Sequence, residues 1–273
     1  ILHMNHKDIK LCHAIIKKVK LMPILWKSFN FTYKSQKYKL IDMLKQILMI
    51  LKQGYSWRFV SEIKTTINWN SIYKVFNKLN YYDIFKSTYI DTLKIYLKKG
   101  TNKKLQYIST DTSVCYNRYN NDKVGKNKYY KNKNASKLSI ICDSNGHPLY
   151  LNMYKSNMND SKILYEQLEE QPLIDLSYKK YFLADKGYDS TLLRNKLLDE
   201  NYTPIIAYNK RNIKDVTKIK YLSKDHKEIY KKRIMVENVF CKLQNYKRLH
   251  KLYERKIKNY MGYLYLAFNL LLC

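Results

Sequence analysis

The sequence predicts a mixed α/β fold, a mixed sheet flanked by helices, with a small all-helical module at the N-terminus. Three observations carry that prediction. Apolar residues at helical spacing fill much of the first hundred positions, strand-like alternation sets in near Leu105, and strands then alternate with helices towards the end. A core can be buried, because 45% of residues are hydrophobic and 14% aromatic, well outside the composition of a chain that stays unfolded. A length of 273 residues suits one large domain, or one domain with a smaller appendage. Residues 1–100 are assigned to the helical module and residues 101–273 to the α/β domain.

Within the module, residues 38–52 place apolar side chains on one helical face and stop at Gly54. A second helix is expected over residues 69–79 and a third over 82–97, closing at Gly100. The module has the size of a helix-turn-helix, and a helical cap on the following domain is the alternative. Residues 105–116, 137–142 and 148–154 then read as successive strands, with a hairpin turn over 143–146. A helix capped by Asn159 over 159–168, a strand over 180–184, a helix over 191–198 and a strand over 203–208 follow. One long helix over 226–249 and a last one from Lys256 complete the chain. This order joins a hairpin-built antiparallel half to a parallel half built from strand-helix-strand units.

The chain holds 52 Lys and Arg against 22 Asp and Glu, a formal charge of +30, and the excess is not confined to a tail. A folded protein so basic is suited to a polyanion, nucleic acid first, although a coding sequence rich in A and T would itself produce 28 Tyr with only 6 Gly and 4 Pro. Cys12, Cys115, Cys142, Cys241 and Cys273 have no zinc-ligand spacing, which points to reduced thiols inside a cell. No signal-peptide core opens the chain, and the most apolar window, 260–273, is too short for a bilayer. A location in the cytoplasm, on the nucleoid if the host is bacterial, is expected, and the initial Ile suggests that translation starts at Met4 or that the chain is a fragment.

In a chain this poor in acids, three carboxylates stand where α/β folds gather their chemistry. Asp111 is near the end of the first strand, Asp185 directly follows a later one, and Glu237 is in the long helix. Convergent carboxylates hold hard divalent cations through oxygen. Taken singly, each is equally well a turn residue, a cap or a surface ion pair; the combination favours a site. On a continuous helix at about 100° per residue, Tyr230, Arg233, Glu237 and Arg248 share one face. A carboxylate beside an arginine and a tyrosine that can hold phosphate oxygens suits phosphoryl transfer, whereas an exposed Arg–Glu pair at i,i+4 would be worth only a few tenths of a kcal/mol.

The ordered motifs resemble those of DDE-type insertion-sequence transposases, the insertion sequence four and five relatives. They are Ser109-Thr-Asp111-Thr-Ser, the basic loop ending Gly125-Lys-Asn-Lys128, Ser136 through Asp143-Ser-Asn-Gly146-His-Pro-Leu149, Asn159-Asp160-Ser, Leu183-Ala-Asp185-Lys-Gly-Tyr188-Asp, and Tyr230-x-x-Arg233-x-x-x-Glu237. The tail from Tyr246 to Ala267 and Gly54-Tyr-Ser-Trp57-Arg58 are similar to the family too, so the resemblance covers roughly residues 36–272. It implies a ribonuclease H-like catalytic domain with Asp111, Asp185 and Glu237 as catalytic, metal-binding carboxylates for two Mg²⁺ ions, with Mn²⁺ able to substitute. The implied activity is cleavage of double-stranded DNA at the element's terminal inverted repeats, then strand transfer into target DNA, by a homodimer in the DNA complex. Tyr230 and Arg233 would hold phosphate near the scissile bond.

The family often places a Lys seven residues after the Glu, where this chain has Gln244; Arg248, Lys242 and Lys247 are the candidates to supply that charge. Lys126, Lys128, Lys131 and Lys133, set among Tyr119, Tyr129 and Tyr130 in a basic segment that begins at Arg118, suit a phosphate backbone with exposed bases. Trp57 is expected to pack, with Arg58 beside it reaching phosphate. Two other readings remain open: a decayed relative that binds DNA as a regulator without cutting it, and a nuclease of the same fold that does not transpose.

Overall fold

Asn5 and Asp8 begin the chain's first helix by capping each other, Asp8 N–H to the Asn5 side chain and Asn5 N–H to the Asp8 carboxylate, both at 3.0 Å. That helix, α1 (His6–Lys20), turns Leu11, Cys12, Ile15 and Val19 inward. The computed structural model describes residues 4–33, 39–62, 67–98, 107–117, 119, 122–128, 131–170, 180–210 and 221–272. The Gly100 stop, the strand start at Leu105, and Arg118, Tyr129, Tyr130 and Cys273 lie outside them. The chain divides into two compact units, residues 1–96 with 243–273, and residues 97–242. The division differs from the sequence expectation at the C-terminus, where residues 243–273 join the helical unit.

In that unit α1 is followed by α2 (Pro23–Tyr33), α3 (Leu40–Gln53), α4 (Trp69–Tyr81), α5 (Ile84–Lys98) and, from the other end of the chain, α10 (Ile257–Leu272). Sequence periodicity locates α3, α4, α5 and α10 and misses α1 and α2. Buried Asp8 is paired with Lys52 of α3, which ties α1 down. Gly54 ends α3 in the left-handed region (φ +73°), its N–H returning to the Ile50 carbonyl at 2.9 Å. Trp57 packs its ring on Tyr73, Phe76 and Tyr263, as expected for a core residue. Burial pushes the Cys12 thiol up to about 12, with Asp8 adding, so it is an unreactive packing group.

Gly262 of α10 faces Asn80 of α4, where a Cβ would stand 2.7 Å from the amide oxygen. Asn80 has little room to yield, because its Nδ2 donates to the Lys258 carbonyl (2.6 Å) and to Asn259 (3.2 Å). Gly262→Val is therefore expected to cost about 1–3 kcal/mol by overpacking, more than the small helix-propensity gain returns. Urea unfolding should show a lower midpoint at an unchanged slope.

The second unit is built on β1 (Tyr107–Tyr116), β2 (Gly125–Asn127), β3 (Lys133–Asp143), β4 (Pro148–Lys155), β5 (Lys180–Ala184) and β6 (Tyr202–Ile206). β3 pairs antiparallel with β1, β2 and β4, while β1, β5 and β6 run parallel, so the main order is β4–β3–β1–β5–β6. This is the mixed sheet the sequence predicts, antiparallel around β3 and parallel from β1 to β6. Among the described residues the helices α6 (Asp160–Glu170), α7 (Thr191–Asp199), α8 (Lys224–Lys231) and α9 (Ile234–Gln244) accompany the sheet. Alternation along the strands sends Tyr107, Leu183 and Ile205 to one face, where Ile229, Tyr230 and Met235 of α8 and α9 cover them. Ser139 points to the other face, donating to Gln167 of α6 at 3.0 Å.

The single long helix expected over 226–249 is not formed. Lys232, Arg233, Met235 and Val236 donate their N–H groups to the carbonyls three residues earlier, at 3.0–3.2 Å, and this tightening separates α8 from α9. The break lets Tyr230 and Met235 both pack on the sheet while Arg233 turns to a carboxylate. α9 then ends at Gln244, and residues 247–249 form a short 3₁₀ turn. Among the described residues no helix is long and apolar enough to cross a membrane.

Candidate active site

Parallel pairing of β1 with β5 matches Ser109 to Leu183. Continued two residues on, to Asp111 within β1 and to Asp185 just past the end of β5, that register sets the two carboxylates beside each other on the face that α8 and α9 cover, near enough for Asp185 to act on Asp111. Burial pushes the Asp111 carboxyl above its usual range and the negative Asp185 adds to this, while the Thr112 N–H and Arg233 pull the other way. A backbone N–H orients each carboxylate: Thr112 donates to Asp111 Oδ1 at 2.8 Å and Gly187 to Asp185 Oδ1 at 2.6 Å.

Glu237 joins them through Arg233. The guanidinium donates from Nη1 to Asp111 Oδ2 at 2.9 Å and from Nη2 to Glu237 Oε1, linking β1 to the exposed start of α9. Tyr230 is half-buried beside them. Burial raises the pKa of its hydroxyl; Arg233 opposes this, while Asp185 and Asp111 add to it. The structure thus brings Asp111, Asp185, Glu237, Arg233 and Tyr230 into one neighbourhood; Asp185 directly follows β5, while Asp111 lies in the middle of β1 and not near its end as the sequence suggests.

Arg248 is not part of it, and its place on the Glu237 face is corrected by the end of α9. Its buried guanidinium donates to Glu254 (Nε–Oε1 3.1 Å) and to the Tyr55 carbonyl (3.0 Å), between the rings of Tyr253 and Tyr263. Nor does Lys242 turn to Glu237; its Nζ reaches the β3–β4 turn, 3.7 Å from where a Cβ of Gly146 would lie. Lys247 and Gln244 are exposed. Lys126, Lys128, Lys131 and Lys133 are all exposed around the β2–β3 hairpin, whose tip takes Lys131 and Asn132 through positive φ. Arg58 is exposed too, 5.9 Å from the Trp69 ring centroid.

Sequence reasoning misses several side chains that support this arrangement. Asp160, which the sequence marks only as part of a helix start, accepts from Thr112 Oγ1 (2.9 Å) and Lys137 Nζ (2.8 Å). The Tyr188 hydroxyl is fully buried, its pKa raised by that burial and then by Asp111 and Asp160. Asp189 takes two bonds from Arg194 (3.0 and 2.8 Å) and one from the Asn209 N–H (2.8 Å), which clamps the turn after β5 to the end of β6. A clue is present in the two acids at positions 185 and 189 flanking Gly187, but their partners are distant in sequence.

Oxygen donors only, from two strands and a helix, suit a hard divalent cation. As they stand, no three such side chains among the described residues are close enough together to hold one, because positive Arg233 lies between Asp111 and Glu237. The donor set fits the cation by chemistry and by charge, with the arginine in a cation's place.

The family model described as "Transposase DDE domain" matches residues 109–272. The proposed transposase of insertion sequence element IS402 from Burkholderia cepacia is 28% identical over 145 residues, which is 51% of this chain and 63% of that protein. The chain thus covers less than two thirds of that relative's length. Among solved structures, the catalytic domain of Mos1 mariner transposase is similar at 12% identity and a TM-score of 0.27, over 63% of this chain and 95% of that one. The Mos1 strand transfer complex is similar at 10% identity and a TM-score of 0.29, over 92% and 100%. The matched segment opens two residues before Asp111 and runs through Asp185, Arg233 and Glu237 into the last helix, and on that match the chain belongs to the transposase DDE domain family.

Proposed function

We propose that this chain cuts double-stranded DNA at the ends of an insertion element and joins those ends to target DNA. The observation that carries the reading is the placement of Asp111, within β1, beside Asp185, just past the end of the parallel β5, with Glu237 tied to Asp111 through Arg233. Asp111, Asp185 and Glu237 are the residues that would hold two Mg²⁺ ions, or Mn²⁺ in their stead. Bound there, the ions supply an activated water or 3′-hydroxyl and charge stabilisation at the leaving oxygen of an in-line displacement. Arg233, once it leaves the carboxylates, offers two parallel N–H donors to a DNA phosphate, and Tyr230 adds a hydroxyl beside it. Holding two element ends together calls for a second copy of the chain in the DNA complex.

The exposed lysines of the β2–β3 hairpin, with Arg58 on the helical unit, follow the phosphate backbone. Replacing Lys126, Lys128, Lys131 and Lys133 with Ala should flatten the dependence of log K on log[salt] by up to about 0.9 for each phosphate that a lysine neutralises in the wild-type complex. A filter-binding series from low to moderate salt measures it; an unchanged slope removes the hairpin from the interface.

The test of the function is cleavage of a labelled duplex carrying the flanking element end, with Mg²⁺ or Mn²⁺, by the intact chain. Metal-dependent nicking at the end, followed by joined products when target DNA is supplied, supports the reading. DNA binding without any cut makes the chain a decayed, regulatory relative, and cutting without joining makes it a nuclease.

A further inference from the structure

The N–H groups that orient the two carboxylates belong to Thr112 and Gly187, and one side chain bonds to the first and lies beside the second. Thr112 lies next to Asp111 on β1, so its own side chain points to the opposite face of the sheet. There its hydroxyl donates to Asp160 Oδ1 at 2.9 Å, while its N–H donates to Asp111 at 2.8 Å. Gly187 sits in the 3₁₀ turn after β5. A Cβ added to it would crowd Asp185 Oδ1 at 2.9 Å and stand in ordinary contact with Asp160 Oδ2 at 3.4 Å, so Asp160 lies beside the turn. One oxygen of Asp160 therefore braces Thr112, and the other lies beside Gly187.

Asp160 is itself held. It opens α6, next to Asn159, whose side chain accepts from the Ser161 N–H at 3.0 Å. Lys137 of β3 donates to Asp160 Oδ1 at 2.8 Å and to the Met158 carbonyl at 2.8 Å, which fixes the start of the helix and balances the charge. The brace thus spans β3, α6 and β1, on the side of the sheet away from Glu237.

We infer that Asp160 is a positioning residue, which sets the orientation of Asp111 through Thr112, and so the geometry in which Asp111 accepts a divalent cation. The inference rests on the proposed metal-dependent function. Its value is preorganisation: a carboxylate that must be ordered at the moment of binding gives a weaker site than one already aimed.

The test is Mn²⁺ binding by the full chain without DNA, followed by electron paramagnetic resonance of free and bound Mn²⁺. Asp160→Asn and Thr112→Val should each weaken binding about 10–100-fold, while Thr112→Ser, which keeps the hydroxyl, stays near wild type. The Thr112 pair changes no charge, so a loss in Val and its absence in Ser isolates the bond to Asp160. Ser139→Ala is the control, because it removes a bond from the same sheet face to α6 that bypasses Asp160. If Ser139→Ala weakens Mn²⁺ binding as much as Thr112→Val, or if Thr112→Val and Asp160→Asn bind like wild type, the inference is overturned. A wild-type chain that binds no Mn²⁺ overturns the proposed function, and the inference with it.

Discussion

Asp185→Ala is expected to abolish metal-dependent nicking, with a fall of at least about 10³-fold, because the carboxylate would hold a cation that supplies several kcal/mol of charge stabilisation at the reacting phosphate. The same change should leave the metal-free fold nearly as stable as before. Asp185 is half-exposed and raises the free energy of the Asp111 anion, so its removal relieves repulsion while losing one bond from the Gly187 N–H. Thermal unfolding separates the two effects. Saturating Mn²⁺ should raise the wild-type midpoint, at roughly 2.7 kcal/mol for a cation at a hundred times its Kd, and should move the variant little. A variant that still nicks DNA at the wild-type rate removes Asp185 from the chemistry.

The largest stability effect belongs to Arg248, a residue that helical periodicity alone places on the DNA-facing side of a helix. Arg248→Met leaves the Glu254 carboxylate buried with its cation gone and the Tyr55 carbonyl without its donor. Loss of one partner from such a pair costs about 3–5 kcal/mol. A chain with Glu254 also replaced by Met should regain much of that, since two apolar side chains of similar volume leave no orphaned charge. Urea titrations of the single and double variants measure both quantities. A DNA-contacting arginine would behave differently, lowering affinity at unchanged stability.

The elements legible in the sequence are those with a strong period and a clear stop. The helix closed by Gly54, the strands on either side of the Gly146 turn and the strand ending at Asp185 all appear within a few residues of their expected bounds. α1 is legible as well: its Asn5–Asp8 capping box is followed by Leu11, Cys12, Ile15 and Val19 at helical spacing, a signal that a search for longer apolar runs passes over. β2 is three residues long, too short to show alternation. The long helix is overextended in the sequence because residues 226–249 contain no Gly or Pro; the break between α8 and α9 comes from packing on Tyr107, Leu183 and Ile205 and from the reach of Arg233 to Asp111.

What the sequence determined by itself is the set of chemical groups and the order in which the chain presents them. Three acids in a strongly basic protein, one on a strand, one just after a strand and one on a helix, set among ordered motifs, were enough to identify the family. Which groups face one another was decided only by the tertiary structure. Register sets Asp111 beside Asp185, a tightened turn swings Arg233 onto both Asp111 and Glu237, and burial joins Arg248 to Glu254 instead of to a phosphate. Asp160 reaches the site from the far face of the sheet through Thr112. Periodicity reports the face of a single element, whereas contacts across 48 positions, as between Thr112 and Asp160, or 122, as between Arg233 and Asp111, depend on how strands pair and helices pack.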